Sequence, residues 1–176
     1  MVDKVKANPA VVATMDDIRD WEKKYGRIPA GSVVMFRTDW SKRWPDPASF
    51  NAKPFPGIGL DVLQFLHMQP HVLFHGHETY SPDMSPTYET EKWLFKHNFA
   101  QAEGVANLDQ VPESGALIAI GFAKPEGGTG GFARYVAIAP ASWPHGVTID
   151  QASGAPMPTH TKALARDADG ILDEPR

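Results

Sequence analysis

From Thr14 to Ala139 the chain alternates between helix-period segments and short, continuous apolar runs, and this alternation restricts it to folds that pack helices on a sheet. Thr14 to Asp17 has capping-box form. The Thr14 hydroxyl can accept from the Asp17 backbone N–H, and the Asp16–Asp17 pair favours a helix N-terminus. Ile18 and Trp21 follow on one helical face, and Tyr25-Gly26 reads as the stop. Val33 to Phe36 reads as a buried strand that ends in the polar and aromatic stretch Arg37-Thr38-Asp39-Trp40. Residues 57–68, GIGLDVLQFLHM, set Ile58, Val62, Phe65 and Leu66 at helical spacing, which predicts a core helix. Residues 71–79 read as a strand and 87–98 as a helix. Residues 116–123 and 134–140 read as two strands bracketing a glycine-rich loop. The expected class is α/β, with 1–140 as one domain and 141–176 as a C-terminal arm or tail.

Composition narrows the possible functions. The net charge of −4 is spread over interspersed acidic and basic residues, so the electrostatic footprint for nucleic acid or an anionic membrane is missing. The absence of cysteine excludes disulfides, a thiolate zinc site and a cysteine nucleophile, and leaves nitrogen and oxygen as the only metal donors. No segment approaches the roughly 20 apolar residues of a membrane span, and the first residues lack a signal-peptide core, so a cytoplasmic location is expected. The 16 prolines and 15 glycines cluster between the periodic segments and point to long loops.

Several residues could carry chemistry. If residues 72–77 form a strand, His75 and His77 project on one face, the spacing two imidazoles need to share a metal. The alternative for both is a hydrogen-bonded polar role near a cleft wall, and Gly76 between them would weaken a strand. Thr38 and Asp39 stand at a strand end, where open sheets present groups to a crevice. Trp40 and Trp44, flanked by Phe50 and Phe55, could wall a pocket for an aromatic substrate, although core packing or an interface is the more frequent use of such residues. The loop KPEGGTGGFAR at 124–134 lacks the order of a phosphate-binding loop and leads into a strand rather than a helix. His67, His71, His97, His145 and His160 are isolated, and no Gly-x-Ser-x-Gly elbow nominates a serine nucleophile.

The segment from Leu94 to Ala139, with FPGIGLDVLQFLH and HGHET before it, resembles the metal-dependent cyclase hydrolases, the family that includes kynurenine formamidase and isatin hydrolase. The resemblance covers almost the whole chain. It implies a swivelling β/β/α-type fold, an oligomer, and hydrolysis of a small-molecule amide or cyclic amide by water activated on Mn²⁺ or Zn²⁺. In the family pattern a His, an apolar pair and a Glu twelve positions after the His supply two residues at the metal site. Leu94 and Phe95 fit the apolar pair, Glu103 fits the Glu, and Glu91 occupies the His position. A carboxylate there suits Mn²⁺ or Mg²⁺ better than zinc. The resemblance also makes Glu103 the residue nearest to a proton-moving role. Arg134 matches the end of the family's Gly-x-Pro-Ala-Arg signature and is expected to fix its loop.

The family's upstream H-x-G-T-H-x-D metal motif is absent from residues 1 to 176. Three expectations follow. The chain is one part of a longer or two-chain hydrolase whose other ligands lie on a complementary chain or an N-terminal segment. Alternatively, it is a catalytically inactive relative, a homo-oligomer that binds a ligand or partner. In the third, His75, His77 and Glu103 form a new metal site.

Overall fold

The computed structural model describes residues 1–84, 86–144 and 146. His145, His160 and the expected arm beyond residue 146 lie outside the described residues. The chain divides into two compact units, one holding residues 1–108 and the other, among the described residues, 109–146.

Among its described residues the first unit carries five α-helices and five strands in the order α1 (Val2–Ala7), β1 (Val12–Ala13), α2 (Met15–Tyr25), β2 (Val33–Phe36), α3 (Pro47–Phe50), β3 (Gly57–Ile58), α4 (Leu60–Met68), β4 (Phe74–His77), α5 (Glu89–Lys96) and β5 (Ala100–Ala102), with a 3-10 turn at Trp40–Arg43 after β2. β2, β4 and β5 form a parallel sheet in that order, with Val34 opposite His75 and His75 opposite Gln101. β1 and β3 make a separate two-residue parallel pair. The fold is α/β, as expected, with its parallel strands linked through helices.

The local signals explain most of these elements. At α2 the Asp17 carboxylate accepts from the Thr14 N–H at 2.9 Å and from the Thr14 hydroxyl at 3.1 Å, the reciprocal half of a capping box, and Gly26 closes the helix at a φ of 90°. On α4, Val62, Leu63 and Leu66 are fully buried against Ile18, Phe36 and Leu94. Each such side chain contributes about 1.5–3 kcal/mol. A second cluster joins Val5, Trp40, Phe50 and Phe55. The predicted helix at 57–68 starts late, at Leu60. Gly57 and Ile58 are drawn into strand pairing, with the Gly57 N–H donated to the Val11 carbonyl and the Gly59 N–H to the Ala13 carbonyl. Gly76 sits mid-strand because the neighbouring strands close over it: a Cβ there would run into Met35 Sδ and lie 3.1 Å from Ala102 Cβ.

In the second unit β6 (Leu117–Phe122) and β7 (Ala133–Ile138) form an antiparallel hairpin with Ile120 opposite Tyr135. The Trp143 indole N–H is donated to the Gln110 carbonyl at 2.8 Å. No helix among the described residues is long and apolar enough to cross a membrane.

Candidate active site

Beyond the carboxyl ends of β4 and β5 the first unit opens into a cleft of about 340 Å³. Parallel sheets place their ligand crevices at this end of the strands. Phe55, Tyr80 and Tyr88 give the cleft aromatic walls, Lys53 and Met84 add to its lining, and Ser81, Asp83, Glu91 and Glu103 supply its polar groups. Phe55 and Tyr80 hold each other with ring centroids 4.8 Å apart.

Each carboxylate is positioned by a neighbour. Asp83 accepts from the backbone N–H groups of Thr90 at 3.2 Å and Glu91 at 3.0 Å, which caps the free N-terminus of α5 and fixes where Glu91 emerges. The Ser81 hydroxyl donates to Glu91 Oε1 at 2.7 Å. Glu103 stands just past the end of β5. The chain there is pinned to β4 by the Gly104 N–H on the Thr79 carbonyl and the Val105 N–H on the His77 carbonyl, and Gly104 turns it away at a φ of 61°. The Gln101 side-chain amide donates to Glu103 Oε1 at 2.8 Å. Desolvation by the protein packed around Glu103 raises its pKa, and the negative charge of Glu91 raises it further. The site therefore sets Glu91 close enough for its charge to help raise the pKa of Glu103.

The histidines of β4 lie deeper. His75 and His77 project on one face with ring centroids 6.0 Å apart, and they are 0% and 2% exposed. His75 Nδ1 shares a hydrogen bond with His67 Nε2 at 3.1 Å, so His67 is a partner of the strand rather than an isolated residue. His77 Nδ1–H is donated to the Thr79 carbonyl at 2.9 Å, which leaves the Nε2 lone pair on the other side of the ring. Burial holds the pKa of His75 well below the ordinary range and that of His77 down at about 4, so both rings are neutral at pH 7. Neither lines the cleft.

Thr38, Trp40 and Trp44 also stand outside the cleft lining. The Thr38 hydroxyl donates to Glu78 Oε2 at 2.9 Å, and the Ser41 hydroxyl donates to Oε1 of the same carboxylate at 2.6 Å, so buried Glu78 ties the end of β2 to the segment after β4. Trp40 is 1% exposed, gives its indole N–H to the Phe50 carbonyl and carries the Arg43 guanidinium on its face. Trp44 is 69% exposed and meets Phe50 edge-on. Sequence reasoning passed over Lys53, Tyr80, Ser81, Asp83, Tyr88 and Gln101. A signal for Gln101 was present in the repeated polar-x-polar spacing of His75-x-His77 and Gln101-x-Glu103.

The described residues do not by themselves fit a metal: no group of three or more His, Asp or Glu side chains among them could hold an ion. Asp83 is committed to capping α5, and the histidine pair lies away from Glu91 and Glu103.

Residues 1–84 match the family model for cyclases, described as "Putative cyclase". Isatin hydrolase of Roseibium aggregatum is 33% identical over 145 residues, which cover 76% of this chain and 55% of that protein. The structure of isatin hydrolase A from Ralstonia solanacearum superposes with a TM-score of 0.72 at 35% identity, over 77% of this chain and 56% of that one. The chain belongs to the cyclase family. A third cyclase-family match, the crystal structure of an isatin hydrolase bound to the product analogue thioisatinate, has a TM-score of 0.71 at 32% identity, again over 77% of this chain and 56% of that one. The chain thus spans a little over half the length of these cyclase-family relatives.

Proposed function

We propose that this chain contributes the carboxylate side of a hydrolase site that opens a cyclic amide of the isatin type. The observation that carries this reading is the Glu91–Glu103 pair in the lining of an aromatic-walled cleft, with the pKa of Glu103 raised. A planar fused ring suits a cleft walled by Tyr80 and Tyr88, with Phe55 packed behind Tyr80. In hydrolysis the water oxygen bonds to the lactam carbonyl carbon and the C–N bond breaks, leaving an amine and a carboxylic acid that releases its proton to solvent as the carboxylate forms. Ionised Glu103 takes the proton from the attacking water and passes it to the leaving nitrogen. The Lys53 ammonium is the group of the cleft that can receive the new carboxylate.

Metal donors beyond Glu91 and Glu103 would come from outside the described residues, on a complementary chain, another copy in a homo-oligomer or further polypeptide. A second reading, a metal-free relative that binds a ligand without turnover, is favoured by the lack of a three-donor group among the described residues. One experiment separates them. The purified chain is dialysed against trace Mn²⁺ and Zn²⁺, its metal content is measured, and isatin ring opening is followed by absorbance. Retained metal with turnover supports the hydrolase; isatin binding without either supports the binding protein.

A further inference from the structure

Gln101 occupies a position that an apolar residue would fill at less cost. Its register partner is His75, so its side chain lies on the face of the sheet that buries His75 and His77. The two ends of its amide have different fates. The nitrogen reaches outward to Glu103 Oε1 at 2.8 Å, whereas the buried carbonyl oxygen has no donor beside it while His77 is neutral. On the same face, His77 gives its Nδ1–H to Thr79, so in the neutral ring Nε2 is an acceptor like the Gln101 carbonyl; only a protonated His77 could donate to it, a contact that favours protonation while burial opposes it. A buried acceptor left unpaired is a penalty for the fold, and native structures retain such groups where another role demands them. With His77 neutral, the Gln101 side chain gives its hydrogen bond to the cleft carboxylate.

We propose that Gln101 is a positioning residue for Glu103, retained at the expense of an unpaired carbonyl in the interior because its amide aims that carboxylate into the cleft. The inference rests on the proposed role of Glu103 in hydrolysis. Ser81 performs the equivalent service for Glu91 from the loop after β4, so each cleft carboxylate is aimed by one neutral donor. Neutral donors are suited to this task because they fix the rotamer of a carboxylate without an added charge in the cleft.

The test is Gln101→Met, which keeps the length of the side chain and removes both polar ends, with Gln101→Glu as the second variant. Three quantities are measured on the full chain: the unfolding midpoint, kcat and KM for isatin, and the ¹³C signal of the Glu103 carboxyl carbon. Gln101→Met is expected to be as stable as the wild type or more so, to lose about tenfold or more in kcat with KM within about twofold, and to shift the carboxyl signal toward that of an unrestrained glutamate. Gln101→Glu, which replaces the donor with a second carboxylate beside Glu103, is expected to lose at least as much kcat as the Met variant. A Met variant that is destabilised but keeps its kcat and carboxyl signal would overturn the proposal, since that is what a purely structural residue does. If the wild-type chain does not turn over isatin, the proposed function falls, and the carboxyl signal alone decides for or against Gln101.

Discussion

The buried imidazoles of β4 and the cleft carboxylate beyond β5 sit a few residues apart on adjacent strands, and the same force acts on both. Desolvation disfavours the charged form, so it lowers the pKa values of His75 and His77 and raises that of Glu103. Depth makes the outcomes differ. The histidines are enclosed by the sheet and by His67 on α4, where neutrality makes them part of the core. Glu103 lies at the strand end, open to the cleft, where a raised pKa leaves a carboxyl able to exchange a proton with whatever enters. Titratable residues a few positions apart on adjacent strands can therefore belong to stability or to chemistry according to whether they lie within the sheet or past its end.

Substitution at the two sites should separate these roles, and the largest effect is expected at Glu103. Glu103→Gln should lower isatin turnover by about 10²- to 10⁴-fold, the usual worth of a positioned acid or base, with little change in the unfolding midpoint. His75→Ala should do the reverse, costing about 2–4 kcal/mol in denaturant unfolding through the cavity and the orphaned His67, with turnover per folded molecule retained. A Glu103→Gln variant as unstable as His75→Ala would break the comparison, because Glu103 would then be part of the framework.

How far the two regions were legible in the sequence follows from the range of the forces that build them. The start of α2, the run Val33–Phe36 and the apolar spacing of α4 are written locally, in a cap, a continuous apolar stretch and a helical period. β5 carries no such signal: Ala100-Gln101-Ala102 has no β-branched or aromatic residue, and its extended form comes from pairing with β4. The identities of Glu91 and Glu103 were accessible through a family pattern. Their surroundings were not, since Ser81 meets Glu91 across ten residues and Lys53, Tyr80 and Tyr88 reach the cleft from separate loops. The spacing of His75 and His77 did place them on one face, but nothing local to that spacing told how deeply the face is buried.

An intermediate effect is expected from acid. The folded-state pKa of His77 is lowered to about 4 from an ordinary 6.5, so the unfolded chain binds the proton more readily than the folded one. The stability tied to neutral His77 is complete above pH 6.5 and is lost as the pH falls from 6.5 to about 4, a change of roughly 3 kcal/mol at 1.36 kcal/mol per unit. His75 acts in the same direction. Urea unfolding at pH 7 and pH 4.5 should show the loss in the wild type and a smaller one in His77→Phe. An equal loss in both would assign acid sensitivity to other groups.

The smallest effect concerns the coupling between the two carboxylates. Glu91→Gln keeps an oxygen that can accept from the Ser81 hydroxyl and removes the negative charge that helps to raise the pKa of Glu103. The pKa of Glu103 should then fall toward the ordinary glutamate value, leaving only the contribution of desolvation. In a profile of kcat/KM against pH, the limb governed by Glu103 should move to lower pH. If Glu103 acts as a base, that is the acid limb, and the variant gains activity relative to wild type on the acid side; if it acts as an acid, the alkaline limb moves and activity is lost above it. The direction of that small shift thus identifies which way the proton travels, whereas the much larger loss in Glu103→Gln reports only that the carboxyl is needed. An unmoved profile would mean that Glu91 and Glu103 do not share their ionisation during turnover, and the cleft would then hold two independent carboxylates.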